Sequence, residues 1–184
     1  MTFPATGIHT DRLLLLPAHP CHARAVQAYL LQNRDFLQPW EPSRDDAFFE
    51  LAAITERLET LADKTASGEA LHLLIFSHGN IIGACNFSNV VRGAFQACHL
   101  GYALSESGQG QGLMHEALTA AIAHVFAAMQ LHRIMANYRP ENQRSARLLA
   151  RLGFEREGEA RAYLKINGVW ADHVLTALIN PDDI

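Results

Sequence analysis

The fold of this 184-residue chain is decided by a stretch near its middle, Ser107-Gly108-Gln109-Gly110-Gln111-Gly112-Leu113-Met114. The apolar run before it, from Ala94 to Leu104, predicts a β-strand, and the residues after it predict a helix from about Leu113 to Met129. Glycine has no Cβ, so the alternating glycines let the backbone approach a ligand closely. A glycine-rich turn between a strand and a helix favours binding of an anion such as phosphate, because successive N–H groups converge there.

The stretch matches neither of two common nucleotide-binding motifs. A P-loop requires a lysine, and the stretch has none. A dinucleotide fingerprint of the form G-x-G-x-x-G would place its last glycine at Leu113 or at His115, depending on the first glycine chosen. On glycine content alone, a flexible turn that happens to precede a helix explains the stretch equally well.

Patterns on either side predict a mixed chain of helices and strands. Before the stretch, the predicted elements are a strand, two helices and a hairpin: Asp11–Leu16, Cys21–Leu31, Asp45–Ser67, Leu71–Ser77 and Ile81–Ser88. After it come a strand, a helix and a second hairpin: His132–Tyr138, Glu141–Leu152 and a turn at Asn167-Gly168 leading to Ile179. Helices alternate with strands only in the middle, which favours an α+β (mixed α/β) fold over a doubly wound parallel sheet. No repeat or long linker divides the chain, so we expect a single domain over residues 1–184.

Composition and charge exclude several classes of protein. Hydrophobic residues make up 49% of the chain and charged residues 18%, which supplies a core and is unlike a disordered chain. The formal net charge of −4 argues against a protein that wraps nucleic acid through a basic surface. The longest apolar helical stretch, Ala117–Met129, is too short to span a membrane, and Met1–Asp11 lacks the pattern of a secretory signal.

The cysteines and histidines predict neither disulfides nor a metal site. Cys21, Cys85 and Cys98 show no C-x-x-C spacing and leave one thiol over, so a reduced, cytoplasmic protein is expected. His19 and His22 lack a third ligand at metal-binding spacing, so no metal is assigned.

The order of motifs around the glycine-rich stretch resembles the GNAT superfamily of acetyl-CoA-dependent N-acetyltransferases. A strand, the loop, a long helix and another strand are followed by Asn142-Gln143-Arg144-Ser145. The pyrophosphate loop of that superfamily follows the pattern R/Q-x-x-G-x-G/A, and Gln109 and Gly112 match its first two fixed positions. Met114 stands where glycine or alanine is usual, a departure that also occurs in the branch that modifies ribosomal proteins.

Further segments resemble that ribosomal-protein branch along nearly the whole chain. They are Phe36–Pro42, Asn86–Gly93, His132–Tyr138, Leu148–Phe154 and Asp172–Leu178. The resemblance implies a GNAT-type fold, in which a mostly antiparallel twisted sheet is flanked by helices and a splayed central strand pair holds acetyl-CoA. It also implies that the partner is the N-terminus of a small-subunit ribosomal protein, acetylated on the α-amine of its N-terminal alanine. Neither a membrane nor direct nucleic-acid contact is expected.

The resemblance further implies which residues bind acetyl-CoA. They lie on the strand before the loop, in the loop and after the long helix: Tyr102, Ala103, Leu104, Gln109, Gly110, Gln111, Gly112, Leu113, Met114, Asn137 and Asn142. Backbone groups of Tyr102 to Leu104 are implied to bind the pantetheine arm in the manner of an added strand. Asn142 has a second interpretation as a helix N-cap, which the sequence does not separate from coenzyme binding.

Acetyl transfer to an amine requires a neutral amine, donors for the carbonyl oxygen and stabilisation of the departing thiolate. A protein α-amine has a pKa of roughly 7.7–8, against about 10.4 for lysine, so about a tenth of it is already neutral near pH 7. A weak base such as histidine is therefore sufficient for an α-amine.

Three residues are candidates for this chemistry. By resemblance, the Ser145 hydroxyl hydrogen bonds to the coenzyme sulfur. His99 lies where related enzymes can carry a glutamate and is the first candidate base; its alternative is a structural strand histidine. Glu41 lies in a segment bracketed by Pro39 and Pro42, which is not expected to be regular helix. It is the second candidate, chiefly as a carboxylate that recognises a positive N-terminus, and its alternative is an exposed loop acid.

The sequence leaves two other functions open. One is an acetyltransferase for a small amine such as a polyamine or an antibiotic, which the resemblance of Phe36–Pro42 disfavours. The other is a non-catalytic ribosome-assembly factor that binds acetyl-CoA, which the presence of Asn142 and Ser145 disfavours.

Overall fold

The computed structural model describes residues 3–183, which form an eight-stranded sheet with α-helices packed on both faces. The strands are β1 (Ile8–His9), β2 (Leu14–Pro17), β3 (Leu71–Ser77), β4 (Asn80–Val91), β5 (Ala97–Leu104), β6 (Arg133–Tyr138), β7 (Glu155–Ile166) and β8 (Val169–Ile179). The helices are α1 (Ala23–Gln32), α2 (Arg34–Leu37), α3 (Leu51–Ser67), α4 (Leu113–Met129) and α5 (Gln143–Arg151). The predicted α+β fold is confirmed.

Among the described strands, one neighbouring pair is parallel, and it lies at the centre of the sheet. The strand order is β1-β2-β3-β4-β5-β6-β8-β7, and β5 and β6 run parallel while the other neighbours are antiparallel. Pairing between β5 and β6 covers only Ala97 to His99 against Arg133 to Met135. The rest of β5 stays paired with β4, and the rest of β6 with β8. The two central strands therefore splay apart after His99, as the resemblance to the GNAT superfamily implies.

Apolar side chains on the two faces of the sheet belong to two separate clusters. On one face, Cys85, Phe87 and Leu100 pack in a cluster with helices α4 and α5. On the other face, Leu74 and Ala84 pack in a cluster with helices α1 and α3. These are called the α4 face and the α1 face. Because side chains alternate along a strand, the register assigns each residue of β5 to one of them.

The segment before α3 differs from the sequence-based expectation. A helix was expected from Asp45, but α3 begins at Leu51. The side chain of Asp45 accepts a hydrogen bond from the Phe48 N–H and starts a 3₁₀ turn, and Glu50 is then extended. The local cap therefore competes with the longer helix.

The segment Phe36–Pro42 is more helical than expected. Its first residues belong to the short helix α2, and Gln38 to Trp40 form a 3₁₀ turn. Pro39 is tolerated because it lies in the first turn, where a backbone N–H has no helical partner to lose. Within residues 3–183, no helix is long and apolar enough to cross a membrane.

Candidate active site

The glycine-rich stretch forms an open loop between β5 and α4. Gly110 and Gly112 have φ values of 74° and 76°, in the left-handed region that favours glycine. A Cβ on Gly110 would meet no described atom within 4 Å, so this side of the loop faces open space. Gly108 is different, because its Cβ would lie 3.1 Å from Leu104 Cγ. Gly108 therefore serves close packing, and the other two glycines shape an exposed surface.

The backbone of this loop has unused hydrogen-bond donors. The N–H groups of Gly110 to Met114 donate to no other residue between 3 and 183. The first backbone bond of α4 runs from the Glu116 N–H to the Gly112 carbonyl, at 3.1 Å. Donors at a helix N-terminus, together with the positive end of the helix dipole, form a binding site for an anion. The predicted pyrophosphate loop thus has suitable chemistry.

The two glutamines of the loop are hydrogen bonded within the chain. The Gln109 amide donates to the Leu104 carbonyl at 3.1 Å, and the Gln111 amide donates to the Ser107 carbonyl at 2.8 Å. Both side chains therefore hold the loop in shape. The side-chain amide of Gln109, which was predicted to bind the coenzyme, is thus used within the chain.

A network centred on Glu116 fastens the loop to the N-terminal part of the chain. Glu116 accepts hydrogen bonds from the Thr10 hydroxyl and from the Arg12 backbone and side chain. Arg12 also donates to the Gln111 carbonyl at 3.0 Å. Desolvation by itself would raise the pKa of Glu116, but these hydrogen bonds and the charge of Arg12 lower it overall. Sequence patterns miss this pair because 104 positions separate Arg12 from Glu116.

The splayed strands bring Tyr102 next to Ser145. Tyr102 lies on the α4 face of β5, and its hydroxyl is 2.5 Å from the Ser145 hydroxyl in the first turn of α5. Burial raises the pKa of Tyr102 to about 12, so its hydroxyl keeps its proton at neutral pH. Asn142 accepts from the Ser145 N–H at 3.1 Å, so it is the N-cap of α5.

The remaining predicted coenzyme residues line the two sides of the gap between the strands. Ala103 and Leu104 pair with β4 on one edge, which leaves their other edge turned towards the gap. Asn137, on β6, donates from its amide to the Tyr163 hydroxyl at 3.2 Å. Tyr163 belongs to β7 and was not found from the sequence, because no local pattern links it to Asn137.

His99 lies on the α1 face, opposite to Tyr102. It pairs with Ser88 of β4 and with Met135 of β6, at the last paired position before the gap. Its Nδ1 atom is buried and has no hydrogen-bond partner within residues 3–183. Burial lowers the pKa of His99, so the ring is neutral at pH 7 and can accept a proton.

Glu41 lines a small cavity of its own. The cavity has a volume of about 50 Å³ and is lined by residues of α1, α2 and the segment that follows: Leu30, Arg34, Leu37, Gln38, Glu41, Pro42, Arg44, Phe48 and Phe49. Burial raises the pKa of Glu41, and the charge of Arg44 partly opposes this. The hydroxyl of Tyr29 is buried without a partner in the described chain, and burial and the charge of Glu41 raise its pKa. Within residues 3–183, the Glu41 side chain makes no hydrogen bond to His99 or to Ser145.

Two contacts hold the segment before Glu41 against the open end of the sheet. The Arg139 guanidinium, which follows β6, donates to the Pro39 carbonyl at 3.1 Å. The Asn167 amide, in the turn between β7 and β8, donates to the Gln38 carbonyl at 2.9 Å. The segment that carries Glu41 is thus fixed beside the C-terminal end of β6, where the gap opens.

Comparisons with known proteins agree with this arrangement. Residues 12–155 match the family model of the acetyltransferase (GNAT) domain. The chain is 49% identical over 181 residues to the ribosomal protein uS5-alanine N-acetyltransferase of Escherichia coli (strain K12), covering 97% of this chain and 93% of that protein. The solved ribosomal-protein-S5-alanine acetyltransferase from Vibrio fischeri has a TM-score of 0.91 at 40% identity, covering 95% of this chain and 96% of that one.

A second solved relative was determined with the coenzyme. Mycobacterium smegmatis RimJ, in complex with CoA-disulfide, has a TM-score of 0.87 at 32% identity, covering 92% of this chain and 83% of that one. The glycine-rich loop, the splayed strands and Ser145 all lie within the residues that the family model matches. The chain therefore belongs to the GNAT family of acetyltransferases, which use acetyl-CoA as the acetyl donor.

Proposed function

We propose that this chain is an N-terminal protein acetyltransferase that moves the acetyl group of acetyl-CoA to the α-amine of the N-terminal alanine of ribosomal protein uS5. The observation that carries the proposal is the 49% identity, over 97% of this chain, to the Escherichia coli enzyme with that activity in its name. Similarity to the Vibrio fischeri S5-alanine acetyltransferase at 40% identity supports it.

The loop and the edge of β5 are suited to two parts of the coenzyme. Backbone N–H groups of Gly110 to Met114 bind the pyrophosphate, since they are unused and lie at a helix N-terminus. Backbone groups of Tyr102 to Leu104 face the gap and bind the pantetheine arm as an added strand would. Asn137 and Asn142 lie on the other side of the gap, and Asn142 also orders the first turn of α5.

Ser145 stabilises the departing sulfur. When the Tyr102 hydroxyl donates to Ser145 across their 2.5 Å contact, the serine proton is free to point towards the gap. A serine hydroxyl is a weak acid, so its main contribution is a hydrogen bond that strengthens as negative charge develops on the sulfur. Transfer of the proton follows only as the thiolate forms.

His99 and Glu41 act on the acceptor amine. His99 is neutral and lies on the α1 face at the start of the gap, so it can take the amine proton directly or through one water. Glu41 recognises the positive N-terminus, since a carboxylate held on a fixed segment attracts an ammonium group. An arriving positive charge would lower its raised pKa and favour the carboxylate form.

The direct experiment is acetyl transfer to purified Escherichia coli uS5, with acetyl-CoA as donor and mass spectrometry of the product. We expect one acetyl group, located by fragmentation on the α-amine of the N-terminal alanine. The matched control is uS5 whose N-terminus is already acetylated, which should gain no acetyl group. Transfer to a polyamine but not to uS5 would favour a small-amine enzyme, and acetyl-CoA binding without any transfer would favour a non-catalytic role; each outcome contradicts the proposal.

A further inference from the structure

Gly101 occupies a central position on the open part of β5. It is exposed and pairs with Asn86 of β4. The strand register places it on the α1 face together with His99, whereas its neighbour Tyr102 lies on the α4 face. Strand β6 has already diverged at this level, because its last pair with β5 is Met135 with His99.

Neither the backbone nor the packing of the chain requires a glycine at this position. Gly101 is not among the residues with positive φ. A Cβ on Gly101 would meet no described atom within 4 Å. Gly83 on the adjacent strand shows the contrast, since its Cβ would lie 2.5 Å from the Ala103 carbonyl oxygen. A glycine inside a strand weakens it and often marks a place where a ligand approaches closely.

We propose that Gly101 is the floor of the subsite that receives the first residue of the acceptor polypeptide, and that its missing side chain sets how large that residue can be. The inference rests on the proposed function, because it takes the acceptor to be an N-terminal α-amine. Helices α4 and α5 cover the α4 face, whereas α1 and α3 pack over β4 and β3 on the other face and leave Gly101 exposed. The acceptor therefore approaches Gly101 on the α1 face. His99 lies two residues before Gly101, and Tyr102 and Ser145 lie beside the expected position of the acetyl carbonyl carbon. The acceptor amine must lie between His99 and that carbon.

The chemistry of the first residue follows from this placement. The carbon next to the amine, and the side chain that it carries, pass directly over Gly101. A methyl group placed on residue 101 would fill part of that space and compete with the methyl group of an N-terminal alanine. An acceptor that begins with glycine has no side chain there and tolerates the change. One carbon in a fitted subsite changes discrimination by about 10- to 200-fold.

The test compares Gly101→Ala with the wild-type chain on two peptides that differ only in a first residue of alanine or glycine. The ratio of kcat/KM for alanine over glycine should fall about tenfold or more in Gly101→Ala. Affinity for acetyl-CoA, measured by calorimetry, should change by less than about twofold. Gly101→Val should lose transfer to both peptides while still binding acetyl-CoA.

The matched control is Gly158→Ala on β7. Gly158 is also absent from the residues with positive φ, and its Cβ would also meet no described atom within 4 Å. It lies three strands away from β5 in the sheet order, so its variant should keep the wild-type ratio. Thermal unfolding of each variant verifies that it is folded.

Two results would separate failure of this inference from failure of the proposed function. An unchanged ratio in folded Gly101→Ala, with an active wild-type chain, overturns the role of Gly101 and leaves the proposed function standing. A fall in acetyl-CoA affinity that matches the fall in rate also overturns it, because Gly101 would then act on the coenzyme. A wild-type chain that acetylates no α-amine overturns both.

Discussion

At the scale of residues, His99 and Tyr102, the hydrogen-bond partner of Ser145, lie on opposite faces of one strand. His99 and Tyr102 are three positions apart, and side chains of a strand alternate, so one faces α1 and the other faces α4. Tyr102 holds Ser145 on the side of the glycine-rich loop. In the proposed function, His99 lies on the side from which the acceptor arrives. We propose that this separation lets a base act on the amine and a donor act on the sulfur without hydrogen bonding to each other.

Replacement of Ser145 tests the donor. Ser145→Ala should lower kcat by about 100-fold while acetyl-CoA affinity changes little, because the interaction strengthens only as charge develops on the sulfur. Steady-state kinetics and calorimetry provide the two numbers. Ser67→Ala is the control, since the Ser67 hydroxyl is exposed and bonds only within the end of α3. Equal losses in kcat and in coenzyme affinity would instead give Ser145 a role in binding.

The pH dependence of kcat tests the base. His99 must be neutral to accept a proton, and burial lowers its pKa, so the acidic inflection of kcat should lie below the ordinary histidine value of about 6.5. His99→Ala should remove that inflection, while ionisation of the amine still appears in kcat/KM. His124→Gln is a matched control, because burial also lowers the pKa of His124 but it lies on α4. A wild-type kcat profile in His99→Ala would make His99 a structural residue.

At the scale of elements, the glycines of the loop before α4 have two different roles: Gly108 packs against Leu104, and Gly110 is proposed to leave room for a phosphate. Gly110→Val adds a side chain where the loop is open and should weaken acetyl-CoA binding at least tenfold, since the added atoms block the approach of a phosphate. The positive φ alone costs roughly 1–2 kcal/mol of stability. Gly79→Val, in the turn between β3 and β4, has the same strain and open surroundings and isolates that cost. Calorimetry should show normal acetyl-CoA affinity for Gly79→Val, and equal losses in both variants would contradict a phosphate loop.

Glu116 joins helix α4 to Thr10 and Arg12, and the stability that these contacts contribute should depend on pH. Glu116 has a lowered pKa in the folded state, so its stabilising contribution is present above the usual carboxyl range and is lost as the pH falls through the folded pKa. Glu116→Gln should therefore have a lower Tm than the wild-type chain near pH 7, and the difference should shrink on acidification. Glu56→Gln, an exposed position on α3, should show neither effect. A pH-independent difference in Tm would assign the effect to packing.

At the scale of the whole molecule, most elements formed by one continuous segment were predictable, whereas side-chain contacts between distant segments were not. The bounds of α4 agree with the apolar pattern, and the hairpins follow from His78-Gly79-Asn80 and Asn167-Gly168. The splay of β5 from β6 was implied by resemblance to the family. The contacts of Arg12 with Glu116 and of Asn137 with Tyr163 depend on tertiary structure, which no spacing along the chain encodes. The helix expected from Asp45 failed because a local side-chain cap won over helical periodicity.

The central claim is that the chain acetylates an α-amine and not a lysine side chain. The most direct measurement uses two synthetic peptides of one sequence, which begins with alanine and contains a lysine, one with a free and one with a blocked N-terminus. The chain is incubated with acetyl-CoA and each peptide, and fragmentation mass spectrometry locates the acetyl group. The α-amine is about two and a half pKa units less basic than lysine, and the only bases proposed here are a neutral histidine and a carboxylate. We expect acetylation of the free N-terminus and none of the blocked peptide; comparable rates on the lysine of the blocked peptide would contradict this claim.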